Sequence, residues 1–280
     1  MSALMSGTAL ADALPAIGHP QSGKIGFQPA VTPVADQVHR LDAMIMTIIT
    51  AIVILVVALL LAVIVRHNHR ANPTPAKFTH NTPLEIAWTL GPVLILVFIG
   101  SYSLPALFNQ MEIPKPDMTI KVTGNQWYWT YAYPDQKVEF DSNMIGNSAT
   151  ADNNVTPYVL NDAMVAELKK YGYTKNDWLL AVDNPLVVPV GKTIKVEVTG
   201  ADVIHAWYVP SFGIMLSAVP GRLNETWFKA TKEGVYYGQC TTLCGAYHAY
   251  MPIEVKVVSQ AAYDKWLQGA KKGDYKLASN

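Results

Sequence analysis

The sequence is short of charge. Only 15% of its 280 residues are Asp, Glu, Lys or Arg, against about 25% in ordinary soluble domains. Neither sign is in excess, with 21 basic and 21 acidic residues. The net charge therefore gives no basis for binding nucleic acid, although local patches can still form. Cysteine is scarce too: Cys240 and Cys244 are the only two, which excludes a disulfide framework. The first 20 residues lack the basic start of an ordinary signal peptide. Thr8-Ala9-Leu10-Ala11-Asp12-Ala13 nevertheless has the small-residue look of a cleavage site, and a disordered leader is the alternative. There is no internal repeat and no low-complexity segment.

What the chain does have is long apolar runs. Met44 to Val65 is 22 residues without a charge. At 1.5 Å per residue it reaches about 33 Å, enough to cross a hydrocarbon core of about 30 Å. Ile86 to Leu107 is a second charge-free run of the same length. It contains Pro92 and Pro105, which membrane helices tolerate better than soluble ones. Thr82, Pro83 and Glu85 read as its start: cap, first-turn proline, acid at the positive end of the helix. The loop between the runs carries Arg66, Arg70 and Lys77 and no acid, which predicts a cytoplasmic loop with both termini on the far side.

Beyond about residue 117 the pattern changes. Thr119–Thr123, Thr193–Val198, Thr226–Ala230 and Ile253–Val257 alternate polar and apolar residues with period two. Pro189-Val190-Gly191, Pro220-Gly221 and Glu233-Gly234 supply turns between them. This predicts a β-sandwich. One helix is expected from Asn161 to Tyr171, stopped by Gly172, and a last one from after Ser259 to about Lys271.

The segment richest in chemistry is Cys240-Thr241-Thr242-Leu243-Cys244-Gly245-Ala246-Tyr247-His248-Ala249-Tyr250-Met251. Thiolate, imidazole and thioether are soft or borderline ligands that favour copper over magnesium or calcium. A mononuclear blue site needs one cysteine, whereas here there are two, and two bridging thiolates can hold two copper ions. A second histidine should come from an adjacent loop, with His205 in Asp202-Val203-Ile204-His205-Ala206-Trp207 as the candidate. The bland readings are a Cys240–Cys244 disulfide, a half-buried His205 and Met251 as core filler.

Cys-x3-Cys-x3-His-x2-Met with His-x-Trp upstream resembles the CuA site of cytochrome c oxidase subunit II, of the aa3-type heme–copper oxidase family. The likeness runs from about Ile25 to Leu267. It implies a membrane-anchored all-β chain: a two-helix transmembrane hairpin, a cupredoxin-like β-sandwich and a short C-terminal helix. The boundaries expected are a leader at 1–40, the hairpin at 41–110 with helices at about 42–66 and 83–108, the copper domain at 111–258 and a tail at 259–280. It implies Cys240 and Cys244 as bridging thiolates, His205 and His248 as one imidazole per copper, Met251 as a weak axial ligand, and the backbone carbonyl of Thr242 as a further ligand.

The resemblance also implies roles outside the ligand set. In Gln126-Trp127-Tyr128-Trp129-Thr130-Tyr131 it makes Trp127 the port through which cytochrome c delivers electrons, against core packing as the bland reading. Asp141, Asp183 and Asp202 match docking acids, although each could be a solvated surface charge. The family's acid between the two tyrosines after the tryptophans is missing, since this chain has Tyr131-Ala132-Tyr133. Glu85 matches a glutamate at the mouth of a proton path into subunit I, against simple helix capping. The implied partners are subunit I with heme a, heme a3 and CuB, subunit III, cytochrome c and the lipid bilayer. The implied location is a bacterial inner membrane with the copper domain in the periplasm. Electrons would pass from the copper pair to heme a, with oxygen reduced to water and protons pumped. Alternatives are a subunit of a CuA-containing nitric oxide reductase, a quinol oxidase subunit II, which lacks copper ligands, or a membrane-anchored copper-binding protein or chaperone.

Two departures stand out. The family's Ser-Glu-Leu/Ile between the cysteines is here Thr241-Thr242-Leu243, and its Lys-x-Asp before Ala-x-Pro-Gly-Arg is Met215-Leu216-Ser217. The carboxylate that helps hold magnesium or manganese at the subunit I boundary is gone, and a hydroxyl is a poor substitute for such a hard cation. That site is expected to be lost or rebuilt.

Overall fold

The computed structural model describes residues 14–74 and 76–277. The suggested cleavage site at Thr8–Ala13 lies outside them. The chain divides into two units, Gln37–Glu112 and the remainder.

The first unit is helical. Helix α1 runs Pro33–Arg66 and helix α2 runs Thr82–Met111. Their apolar stretches are exposed on every side: Leu55, Ile64, Leu94, Leu96 and Val97 are all more than half accessible. A helix apolar all round and covered by no protein suits a membrane rather than water. Helix α1 starts well before residue 42, a start hidden in the sequence because Asp36, Gln37, His39, Arg40 and Asp42 interrupt the apolar run that marks the rest of it. The Thr32 hydroxyl caps that start by accepting the Ala35 N–H at 3.0 Å, with Pro33 in the first turn. Helix α2 is capped by Asn81, not by Thr82. The Asn81 side chain accepts the Leu84 N–H, and the Glu85 carboxylate accepts the Asn81 N–H, both at 3.2 Å. Asn81 has the extended backbone a cap requires, and Thr82 is already helical.

The second unit is a sandwich of two five-stranded sheets. Strands β1 (Met118–Asn125), β2 (Tyr128–Tyr133), β3 (Val138–Ser142), β5 (Ile194–Gly200) and β8 (Asn224–Phe228) form one, in the order β3-β2-β1-β5-β8. Strands β4 (Leu186–Pro189), β6 (His205–Val209), β7 (Ile214–Ala218), β9 (Gly234–Cys240) and β10 (Pro252–Val258) form the other, in the order β4-β10-β9-β6-β7. Two neighbouring pairs, β1–β5 and β4–β10, are parallel and the rest antiparallel. Burial along β5 alternates as its sequence does, with Ile194, Val196 and Val198 inward. Trp129, Trp207, Tyr131, Phe212 and Phe228 fill the space between the sheets and are fully buried.

Strands β9 and β10 are buried on both faces, so something must cover their outer side. Part of the cover is the long excursion between β3 and β4, which contains helix α3 (Asp162–Lys170). Asn161 caps α3, and Gly172 follows it at a φ of 84°, the left-handed region that glycine enters without strain. The excursion is tied down by Tyr173, whose hydroxyl donates to the buried Glu254 carboxylate of β10 at 2.8–2.9 Å. A second cover is the segment ahead of α1. The Val235 N–H donates to Pro15 O, and the Gly18 N–H donates to Val235 O. Gly18 passes so close that a β-carbon would lie 2.7 Å from the Tyr236 Cα. Val31 exchanges backbone bonds with Ser211 and Thr231. Helix α4 (Gln260–Ala270), capped by Ser259, closes one end by placing Trp266 against Tyr133 and Phe140.

Candidate metal centre

The connection from β9 to β10 is a loop pinned at both ends. Cys240 ends β9, Pro252 begins β10, and Pro252 pairs with Gln239 across the hairpin. Cys244, His248 and Met251 are thereby confined to one short loop. Strand β6 runs antiparallel to β9 with Trp207 opposite Cys240. That pairing brings His205 to the same place. His205 is not on a loop, as the sequence suggested, but is the first residue of β6.

The donor atoms converge. One ligand atom each from His205, Cys240 and Cys244 lies within 4.8 Å of the others, and all three residues are buried. The two sulfurs are 3.9 Å apart and both cysteines are free, so the disulfide reading does not hold. Cys244 Sγ is 3.5 Å from His248 Nδ1 and 3.5 Å from Met251 Sδ. The Cys240 thiol donates to Thr242 O at 3.3 Å.

His205 Nδ1 is buried with no hydrogen-bond partner. Leaving a buried ring nitrogen unpaired costs about 1–3 kcal/mol, so its orientation toward the sulfurs makes sense as a ligand site. The other ring nitrogen, Nε2, is held 2.9 Å from the Asp202 carboxylate. A carboxylate behind a ligating imidazole fixes the ring and strengthens it as a donor. Asp202 also accepts the Gln126 N–H at 2.7 Å and the Val203 N–H at 2.6 Å. Burial pushes its carboxyl up, but His205 and these two amides together hold it below the usual range. Gly124 allows the ring its space, since a β-carbon there would sit 2.8–2.9 Å from three His205 atoms.

The thiols differ in their ionisation. Burial raises both. For Cys240 the contacts with His205 and with the backbone at Ala206 and Thr242 outweigh it and bring the thiol below its ordinary value. Cys244 is pushed up to about 12 by burial and by the negative charge on Cys240. Of the two, Cys240 is the readier to ionise, and a thiophilic cation binding the pair would displace the thiol protons. Soft sulfurs with imidazole nitrogens fit copper.

The aromatic motif divides at β2. Trp129 and Tyr131 lie in the core, and the Trp129 indole N–H donates to Met251 O at 3.1 Å. Trp127 is only half-buried and points to the loop, its indole N–H donating to Cys244 O at 3.2 Å. The Gln126 amide donates to the same carbonyl at 2.9 Å.

The acids fare differently. Asp141 is exposed and accepts the Thr130 hydroxyl at 2.7 Å. Asp183 is half-buried in a turn, where it accepts the Asn143 and Asn184 N–H groups. Burial raises its pKa. Glu85 lies in the helical unit, bound to its own helix start. Asp202 as the partner of His205 was missed in the sequence, although the i, i+3 spacing ahead of the histidine was there to see.

Comparison with known proteins agrees with this geometry. The family described as "Cytochrome C oxidase subunit II, periplasmic domain" matches residues 118–258, and "Cytochrome C oxidase subunit II, transmembrane domain" matches residues 20–106. The chain belongs to the cytochrome c oxidase subunit II family. It is 54% identical over 280 residues to cytochrome c oxidase subunit 2 of Cereibacter sphaeroides, covering 99% of this chain and 91% of that one. It is 38% identical to the same subunit of Oenothera berteroana, covering 87% of this chain and 89% of that one. The crystallised periplasmic domain of subunit II from Bradyrhizobium japonicum is 49% identical, with 58% of this chain and 99% of that one covered and a TM-score of 0.46. Membership makes this a membrane-anchored subunit of a heme–copper oxidase, part of an oxidoreductase complex that includes other subunits. Its β-sandwich is the cupredoxin-like domain of the subunit II family.

Proposed function

We propose that this subunit accepts electrons one at a time from cytochrome c at a binuclear CuA centre and passes them to heme a of subunit I, in a complex that also holds heme a3, CuB and subunit III. The observation that carries the reading is the convergence of a partnerless, buried His205 Nδ1 on two free thiols. Cys240 and Cys244 would bridge the metals, His205 and His248 would bind one each, and Met251 Sδ and Thr242 O would complete the set. A copper pair held this way supplies a one-electron relay with the charge shared over two ions.

The chain's own residues do the rest. Asp202 orients His205 by accepting from Nε2. Burial of both cysteines excludes water from the sulfurs. Trp127, bonded to the carbonyl of Cys244, offers a route from the surface to a thiolate ligand, which supports it as the electron port. Asp141, Asp183 and Asp202 would favour a basic donor at the rim, Asp183 least because it is half-buried. Glu85 would open a proton path into subunit I, and its place at the start of an otherwise uncharged helix supports that role. The loop with Arg66, Arg70 and Lys77 would face the cytoplasm of a bacterial cell, and the copper domain the periplasm.

The boundary with subunit I would carry no magnesium at Thr242, because neither Thr242 nor Ser217 offers a carboxylate. Manganese-substituted oxidase should then give no stoichiometric manganese signal at this boundary, and such a signal would refute the reading. The copper assignment is tested on the full chain in detergent, loaded with copper and measured by electron paramagnetic resonance. One electron shared by two copper nuclei is the expected hyperfine pattern. A mononuclear pattern in a folded sample would overturn it.

A further inference from the structure

Four aromatic side chains outside the ligand set form a continuous array beside the thiols. Trp127 meets Tyr247 edge-to-face, with ring centres 4.9 Å apart and planes at 72°. Tyr247 stacks on Tyr158 at 4.6 Å and 21°. Tyr250 meets Tyr158 at 4.9 Å and Tyr247 at 6.0 Å, both edge-on. Three of the four come from the β1–β2 turn or the copper loop, but Tyr158 belongs to the excursion between β3 and β4. It is held there at a φ of 62° by its N–H bond to Gly146 O, a backbone conformation costly for a tyrosine. Tyr247 is 37% exposed. Two carboxylates flank the stretch that carries Trp127: Asp202 accepts the N–H of Gln126, the residue before it, at 2.7 Å, and Asp141 accepts the hydroxyl of Thr130, three residues after it, at 2.7 Å.

An apolar, aromatic centre with an acidic margin is the anatomy of a transient protein interface. Large rigid rings lose little entropy on docking and supply most of the contact energy. The acidic margin selects a basic partner. We propose that Tyr247 and Tyr158 are specificity-determining residues for the electron donor: with Trp127 they make one platform that seats the apolar rim of a c-type cytochrome's heme edge, extending its footprint onto the excursion. The proposal rests on the reading of Trp127 as the port. The reaction is a transfer of one electron from the ferrous heme, which becomes ferric, to the copper centre, which is reduced by one electron. No bond or proton moves.

The test uses the purified oxidase with Tyr247→Leu, Tyr158→Leu and Tyr247→Phe. Reduction of the copper centre is followed by stopped flow, first with reduced cytochrome c over a range of concentration and salt, then with hexaammineruthenium(II), which needs no platform. Both leucine variants should raise the half-saturating cytochrome concentration about two- to tenfold, the worth of one lost aromatic contact. The effect should persist at high salt, because the contact is not ionic. Reduction by ruthenium and the copper spectrum should be unchanged, and Tyr247→Phe should behave as the parent. Because Tyr158 packs on Tyr247 and Tyr250 of the copper loop, the unchanged copper spectrum and ruthenium rate are what separate docking from damage to that loop. Unchanged half-saturation in both leucine variants overturns the proposal, as does an equal slowing with both reductants. Trp127→Phe separates the two readings. If it slows cytochrome oxidation while the tyrosine variants do not, only the platform fails. If it changes nothing, the port fails and the platform with it.

Discussion

Asp202 shows how much a metal centre depends on residues that never touch the metal. Its carboxylate takes three donors, of which His205 Nε2 is one. Asp202→Asn should keep the fold but weaken the hold on the ring, lowering copper affinity about 10–100-fold. A competition titration against a copper chelator measures this, and an unchanged affinity would mean that strand β6 alone fixes the imidazole. Gly124 acts on the ring by close approach of its backbone. Gly124→Ala puts a methyl 2.8–2.9 Å from His205, so the ring or the strand must move. The expected outcome is a stability loss of about 1–3 kcal/mol and substoichiometric copper, read by urea unfolding and metal analysis.

Among the elements, the decisive contact is the pairing of β6 with β9. It is a short pairing, Trp207 with Cys240 and Tyr208 with Gln239, and with the Thr241 N–H bond to Ala206 O it brings His205 to the cysteines. Gly238 makes room for it, because a β-carbon there would lie 2.0 Å from the Tyr208 carbonyl oxygen. Backbone cannot yield as a flexible side chain can. Gly238→Ala should therefore separate the two strands, costing about 3 kcal/mol and abolishing copper binding, although no ligand has changed. Normal copper occupancy in this variant would show that the loop holds the metal without β6. The excursion depends on a different contact, the clasp of Tyr173 on Glu254. Burial raises the Glu254 carboxyl, and Lys256, Tyr173 and the Val182 N–H only partly oppose this. A carboxyl raised on folding favours the folded state most when protonated. Its contribution is complete below the unfolded value near 4.5 and is lost as pH rises through the raised folded value. Glu254→Gln lacks this titration. Urea midpoints at pH 4, 5.5 and 7 should shift progressively in the variant's favour relative to the parent, and a constant difference would refute the assignment.

For the molecule as a whole, what could be read in advance follows the range of the interactions. Crossing a bilayer is a local property of composition, so the two apolar helices were evident from 22 uncharged residues each. Inward and outward faces of strands were evident from alternation, and Ile194, Val196 and Val198 are buried as it implied. Cys240, Cys244, His248 and Met251 lie within twelve consecutive residues, 240–251, so their spacing alone announced a soft-metal site. Caps were less legible: Asn81 and Thr82 are both good candidates, and only the backbone conformation chooses between them. Alternation does not specify which strands become neighbours or in what register. Only the tertiary structure placed His205 at a strand start beside Cys240, put Asp202 behind it and brought Tyr158 onto Tyr247. It also laid residues 14–32 along the sandwich, where Pro15, Gly18 and Val31 bond to backbone more than 170 residues away. The sequence by itself determined the chemistry, because ligand type and local spacing are written in adjacent residues. The geometry that lets the chemistry work was decided by packing, because sheet order and close approaches at Gly124 and Gly238 arise from contacts between distant parts of the chain.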